Sequence, residues 1–510
     1  MSEQTSLSGA ISEERPMRTG GSFARVLVLV VAYAAAIYLP FLGGSRTATR
    51  HEVLVTLPAL QMLGDGSWMV PHYTNRVWVD KPPLVTWATA ALFAATGGFS
   101  ELAARLPAAL SAIGLCVLVA VLARRFLGPT AALLAGLVQA TCVYTYMQGR
   151  LGEIDMPFAL LIAGAHAVLI WHWGQGGYAL PLRSAALFHV LLGLAVLAKG
   201  PLAAAFLAAT VVAFCLVRRS LRPLRVLLWT PAVVCAPVVA LWWYAAVWAR
   251  LGDAAWERWS YTYVERFAGL HHLGSQSLLL YLWTIPWLVL PWTIVLLWGA
   301  RRWVRDVRRP DAYFERFLWV WFLAGLVPLL LSAFKHKHYC IPVLPPLSIL
   351  SAKLLAEHLA KVGKRAERAY SAVFAVLLVA YGIVSGVVIP LRDHRRVTAE
   401  FVRAATARVP PGEKLYVVGL AQSAVYPYVG HDWEGLNSLE EVQAVLRGAD
   451  GQRVWMLTLR GYLATGADLG IGFDEVGGEP VRKRYPLENT LVLGRVIPST
   501  SEPVASTPAP

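Results

Sequence analysis

The side chains of this 510-residue chain that could do chemistry fall in a few short stretches. The first holds Arg46, Arg50, His51, Glu52, Asp65, Arg76, Asp80 and Lys81. Lys81 belongs to Asp80-Lys81-Pro82-Pro83, where two prolines fix the chain direction just ahead of an apolar run. A lysine held near a membrane surface is a good partner for a lipid phosphate, or else a cation snorkelling from a helix end. The second stretch, Gly149 to Pro157, carries Arg150, Glu153 and Asp155. Asp155 can cap the helix that Pro157 helps to start. A carboxylate beside hydrocarbon is costly, however, and is often functional. The third stretch runs Tyr261, Tyr263, Glu265, Arg266 and then His271-His272. The fourth is Lys335-His336-Lys337-His338-Tyr339. Its histidines have the composition of a metal tract, but Lys335 and Lys337 interleave with them and would repel a cation. Lysine, arginine and tyrosine gathered on one side make a better anion site.

The elements that must position these residues are membrane spans. Hydrophobic residues make up 57% of the chain and charged ones only 15%, against about 45–50% and about 25% in soluble domains. That excludes disorder, a coiled coil and a disulfide-stapled module. The five cysteines lie in or beside apolar runs without metal-ligand spacing and read as small hydrophobes.

Residues 1–24 are polar and are expected to be disordered. The run Arg25–Leu42 is too long for a signal-peptide core of about 7–15 residues and reads as a first span. Further windows at 105–123, 130–147, 156–173, 184–198, 201–217, 225–248, 278–299, 316–333, 339–357 and 370–390 bring the expected total to about eleven. Arginine and lysine clusters follow alternate spans, as at Arg124-Arg125, Arg218-Arg219, Arg301-Arg302 and Lys364-Arg365. All fall on one side, which the positive-inside rule makes the cytoplasm. The net charge of +15 therefore points to membrane orientation, not to nucleic acid.

Loops 43–104 and 249–277 then face outward, as does the tail. Within the first loop, Val53–Leu63 and Leu84–Ala95 read as interfacial helices. The tail should hold strands at 414–420, 453–460 and 490–496 and helices at 398–408 and 437–447, a small extracytoplasmic α/β domain over 391–498. Residues 499–510 are expected to be disordered. Glu52 and Asp155 face the same compartment and could converge. In the span centres His166 and His189 are the main ionisable groups, and each reads as a satisfied packing histidine. Coupled transporters place such groups at the midplane. A site at the outer face therefore suggests an enzyme acting on a lipid-anchored substrate.

Short motifs recur along this map: Met62–Pro71 (MLGDGSWMVP), Asp80–Trp87 (DKPPLVTW), Ala103–Ala109 (AARLPAA), Glu153–Met156 (EIDM), Ala198–Pro201 (AKGP), Trp242–Tyr244 (WWY), Glu265–Gly269 (ERFAG) and His338–Pro346 (HYCIPVLPP). In this order the chain resembles the bacterial GT-C glycosyltransferases of the aminoarabinose (lipid A) transferase and protein O-mannosyltransferase superfamily, over about residues 25–390.

The resemblance implies a polytopic α-helical GT-C membrane domain, a small α/β domain behind it, and a place in the bacterial inner membrane. It implies inverting transfer of a sugar from a polyprenyl (undecaprenyl) phosphate to lipid A, another envelope glycan or a protein, at the periplasmic face. Lys81 would contact the donor phosphate, helped by Arg266 and Tyr339. Asp155 matches the family acid at the head of the fourth span. The family's Asp-Glu pair in the first loop is His51-Glu52 here, so Glu52, Asp155 or His51 would take the role of base. Glu153, Lys199, Lys335, Lys337 and His272 are accessory candidates. No nucleotide or redox cofactor is called for, no metal ligand is assigned, and a divalent metal stays open. Loss of the first aspartate raises an alternative, a non-catalytic lipid-sugar binding protein or flippase.

Overall fold

The computed structural model describes residues 19–74, 76–269, 279–393, 395–418, 425–430, 433–436, 438–448, 453–460, 471–480 and 490–498. It is mostly helical. Helix α1 (Thr19–Tyr38) is followed by two helices of the first long loop, α2 (Arg50–Asp65) and α3 (Leu84–Thr96). Helices were expected in this loop over 53–63 and 84–95, and both are present. Next come α4 (Glu101–Leu127), α5 (Pro129–Thr141), α6 (Val143–Gln148), α7 (Asp155–Trp173), α8 (Leu182–Lys199) and α9 (Leu202–Arg218). Longer helices downstream include Cys235–Leu251, Tyr313–Leu331, Pro345–Val362 and Lys364–Ile383.

By length and apolarity six helices can cross a membrane among the described residues, or seven if the bent pair Lys337–Val343 and Pro345–Val362 is one span. Four further apolar helices are shorter, Phe23–Tyr38, Leu84–Thr96, Pro129–Thr141 and Leu202–Arg218. The difference from eleven has a local cause. Window 130–147 breaks at Cys142, whose backbone is extended, and window 278–299 breaks between Leu288 and Thr293, around Pro291. An apolar run fixes burial, but prolines and turns divide it into helices. The chain is also helical from Thr19, so the expected disorder to residue 24 is too long. Residues 1–18 and 499–510 lie outside the described residues.

One large apolar core runs through the helical bundle, with Trp173, Trp321, Phe206 and Phe317 fully buried. Outward faces stay apolar too, with Leu216, Trp229, Trp283 and Leu297 exposed, as lipid-facing surfaces require. His166 is satisfied inside the bundle by Ile162 O (2.8 Å) and Thr210 Oγ1 (2.9 Å) and stacks on Trp321. It is a packing histidine, whereas His189 bonds Leu227 O through Nε2 (3.1 Å) and leaves its buried Nδ1 without a partner among the described residues. All five cysteines are free.

A hairpin of β1 (His72–Tyr73) and β2 (Arg76–Val77) lies in the first loop. Behind the bundle, β3 (Leu415–Val418), β4 (Trp433–Leu436), β5 (Val454–Leu459), β6 (Ile471–Pro480) and β7 (Thr490–Pro498) form a sheet in the order β4-β3-β5-β7-β6. Strands β4, β3 and β5 are parallel, and β7 is antiparallel to β5 and β6. The three strand windows in the tail coincide with β3, β5 and β7, and helices Arg395–Thr406 and Leu439–Gly448 match the two expected. Strands β4 and β6 were not expected. Trp433-Glu-Gly-Leu is short, and β6 carries Gly472, Gly477 and Gly478 with a bulge at Glu475/Gly477, which weakens a periodicity signal. Apolar residues of the first loop, among them Ala48, Val53 and Leu57, share one core with Val402, Tyr428, Trp455 and Leu457 of the C-terminal segment.

Candidate active site

The site is built at the head of α2. Thr49 caps that helix in a capping box: its hydroxyl accepts from Glu52 N (3.2 Å), and its own N–H donates to Glu52 Oε2 (2.8 Å). Arg105, one turn into α4, donates to both oxygens of Glu52 at 2.7 and 3.2 Å. The same guanidinium reaches the carbonyls of Leu42, Arg46 and Thr47. Each partner is 1% exposed. Burial alone would raise the Glu52 carboxyl, but the Arg105 charge prevails and holds it below the usual range. Glu52 is thus a saturated structural anion. Its fourth bond comes from Gly152 N–H at 2.9 Å, which ties the first loop to the turn between α6 and α7.

That turn is pinned twice. Arg150 donates to the carbonyls of Ile37, Tyr38 and Pro40 at 2.7–2.9 Å, covering the open C-terminal end of α1. Gly152 lies so close to α4 that a Cβ would sit 2.7 Å from Ala104 O. The pins present Glu153 and Asp155 to the same space. Asp155 is the first residue of α7, where a helix N-terminus favours negative charge. Ile154 is the cap, with no side-chain bond, so a capping role does not explain Asp155. Its carboxylate pairs with the Lys199 ammonium at the end of α8, both buried. Lys199 lies 4.4 Å from the Tyr339 ring centroid and 5.3 Å from that of Phe158. The charges of Lys81 and His338 also act on Asp155.

Around this pair stand imidazoles. His51 is exposed and meets His338 at 6.0 Å between ring centroids. His338 stacks on His336 at 5.0 Å and meets Tyr339 edge-on at 4.7 Å. No set of three or more His, Cys, Asp and Glu side chains suited to a metal ion occurs among the described residues.

Lys81 is positioned by the segment 258–263, which binds the residues just before it. Asp80 takes two bonds from Arg258 at 2.8 and 3.2 Å. Val79 O accepts from Trp259 Nε1 at 3.1 Å, and Asp80 O accepts from the Tyr263 hydroxyl at 3.3 Å. Tyr263 in turn packs against Gly200, whose φ is +86 and whose Cβ would lie 2.7 Å from the ring. Only glycine fits that turn.

The structure therefore brings Asp155, Lys199, Tyr339, His51, Glu153 and Lys81 to one region and gives Glu52 a bracing task. It sends two lysines elsewhere. Lys335 is buried and donates to Ser332 O at 2.5 Å, covering the end of helix Tyr313–Leu331. Lys337 is exposed and lies 5.6 Å from the Trp287 ring centroid. Arg266 begins a short helix, Arg266–Ala268, and its side chain lies outside the described residues, as does His272. Sequence reasoning missed Arg105 and Arg258. Each sat inside or beside a motif, but only the fold reveals the partner that gives it work.

Residues 80–244 match the family described as dolichyl-phosphate-mannose-protein mannosyltransferase. The undecaprenyl phosphate-alpha-4-amino-4-deoxy-L-arabinose arabinosyl transferase of Pseudomonas savastanoi pv. phaseolicola is 29% identical over 359 residues, which cover 69% of this chain and 64% of that protein. The enzyme of the same name from Pseudomonas aeruginosa is 30% identical, over 58% of this chain and 54% of its own length. The chain thus spans between about half and two thirds of the length of these two relatives. ArnT from Cupriavidus metallidurans bound to undecaprenyl phosphate superposes with a TM-score of 0.73 at 19% identity, covering 92% of this chain and 97% of that one. An archaeal oligosaccharyltransferase from Archaeoglobus fulgidus superposes at 0.51 and 9% identity, over 87% of this chain and 70% of that one. The chain is thus similar in sequence to the aminoarabinose transferases and, over residues 80–244, to the protein O-mannosyltransferase family, and it shares the ArnT fold over nearly its whole length.

Proposed function

We propose that the protein is an inverting membrane glycosyltransferase that moves a sugar from a polyprenyl phosphate to an envelope acceptor. The observation that carries this reading is the convergence of Lys81, Lys199, Tyr339 and Asp155 at one end of the bundle, beside the first-loop helices. The names of its relatives, and a structural neighbour bound to undecaprenyl phosphate, support the donor class. In the proposed reaction the acceptor oxygen attacks the anomeric carbon from the face opposite the phosphate. The bond to the phosphate oxygen breaks and its electron pair leaves on the polyprenyl phosphate. Lys81, with Arg266 and Tyr339, holds that phosphate as negative charge grows on it. Asp155, fixed by Lys199, orients the acceptor, and His51 stands at the mouth. Phosphate is a competent leaving group, so the chemistry calls for no nucleotide or redox cofactor.

In the same reading the chain lies in the bacterial inner membrane with about eleven spans, the shorter apolar helices included. Its N-terminus is cytoplasmic, and an α/β domain over 391–498 faces the periplasm beside the site. The acceptor is lipid A, another envelope glycan or a protein.

The test is a mass-spectrometric comparison of envelope lipids and glycans from cells with and without the protein. A sugar mass is expected to vanish on deletion and to return with wild type but not with Lys81→Ala, a loss of about 100-fold or more. Unchanged envelopes would sink the reading. The replacement of the family's first aspartate by His51 favours one rival, lipid-sugar binding without chemistry. Donor that binds purified protein yet is never consumed would establish it.

A further inference from the structure

Three carboxyls lie at the site, and two are already engaged. Glu52 accepts four hydrogen bonds and is sealed against Arg105. Asp155 is closed by Lys199. Glu153 is different. It is 9% exposed, and among the described residues its carboxyl has neither an ion pair nor a hydrogen-bond partner. It stands in the turn that Arg150 and Gly152 pin from both sides, between Asp155 and Glu52, with Arg46 and Lys199 as the facing cations. A buried carboxyl without a partner is costly to keep, and here the backbone is braced to hold it in place.

We propose that Glu153 takes the proton from the acceptor hydroxyl as the glycosidic bond forms. This rests on the glycosyltransfer reading above. The step balances. The acceptor O–H breaks and its proton passes to the Glu153 carboxylate, while the acceptor oxygen bonds to the anomeric carbon. The carbon–phosphate-oxygen bond breaks with its electrons on the phosphate. One negative charge disappears from Glu153 as one appears on the polyprenyl phosphate, so the buried site gains no net charge. Burial, then the charges of Asp155 and Glu52, push the carboxyl up to about 8. That is basic enough to compete for a hydroxyl proton near working pH. Glu52 and Asp155 are held by their cations, so neither can take the proton without breaking its own pair.

The experiment adds purified full-length protein back to membranes of cells that lack it, which carry donor and acceptor. Appearance of the modified envelope species is followed from about pH 6 to pH 9, and binding of undecaprenyl phosphate is measured in parallel. Glu153→Gln is expected to slow transfer by about 100-fold or more and to flatten the rise in rate towards pH 8, with lipid binding unchanged. Glu153→Asp should recover part of the rate, which a packing role would not predict. Transfer by Glu153→Gln within about twofold of wild type overturns the assignment, as it would if the acceptor were itself a phosphate with no proton to lose. No transfer by wild type overturns the glycosyltransfer reading, and the base with it.

Discussion

Glu52, Glu153 and Asp155 are neighbours in space, yet three environments give them three states. Glu52 is a structural anion, because removing either partner of a buried pair strands a charge at about 3–5 kcal/mol. Asp155 keeps its charge through Lys199 and the helix end. Glu153 has burial without compensation, and this sets its effect on stability. Its folded-state value is raised from 4.5 to about 8. A raised carboxyl favours the folded state below the unfolded value, and that contribution is lost as pH rises through the folded one. Wild type should therefore lose stability between about pH 4.5 and pH 8, where Glu153→Gln does not. Thermal unfolding in detergent at intervals over that range is expected to show the variant gaining on wild type by an amount on the order of a few kcal/mol, level above about pH 9. A gap that does not change with pH would mean that Glu153 is not held protonated.

At the scale of elements, Lys81 and Glu153 stand on turns, Asp155 and Lys199 stand at helix ends, and helices do the bracing. The turn 79–83 carries Lys81 and is held by Arg258, Trp259 and Tyr263, all from the helical segment 253–265. Arg258 is half exposed, so its worth to folding is small, and its worth to placing Lys81 can be measured apart. Arg258→Ala is expected to weaken binding of undecaprenyl phosphate about tenfold, near 1.4 kcal/mol, with little change in rate at saturating donor. Unchanged binding would show that Lys81 is placed without the clamp. The sequence made the prolines of this turn visible but not its partner, because Arg258 lies 178 positions away and no periodicity links the two.

Across the whole molecule, the C-terminal segment is docked on the loop that leads into α2. Ala48 N–H donates to the Tyr428 hydroxyl (2.7 Å), which donates to Glu101 (2.9 Å). Thr47 N–H and hydroxyl reach Asp393 at 2.7 and 3.2 Å, and Arg396 reaches Gly44 O at 2.5 Å. These contacts hold residues 44–49, the approach to His51 and Glu52. Tyr428→Phe removes both hydroxyl bonds and should cost about 1 kcal/mol locally. Faster hydrogen exchange over residues 44–52 is the expected result, with transfer reduced several-fold and the bundle unaffected. Exchange that stays at the wild-type rate would mean that the apolar contacts of Val53, Leu57 and Trp455 hold the loop alone.

The sequence by itself determined the class of the molecule. Hydrophobic runs of span length, arginines on one side and acids at the other need no tertiary knowledge, since composition and period follow from burial in lipid. It also named the stretches that hold Lys81, Glu52, Asp155 and Tyr339 as candidates, and suggested that Glu52 and Asp155 could converge. Only the tertiary structure decided what each charge does. Glu52 was a candidate base until Arg105, 53 positions on, consumed it. Glu153 was an accessory until its neighbours were seen to be engaged. A pairing between distant charges is fixed by distance and dielectric in the folded state, and these have no counterpart in spacing along the chain.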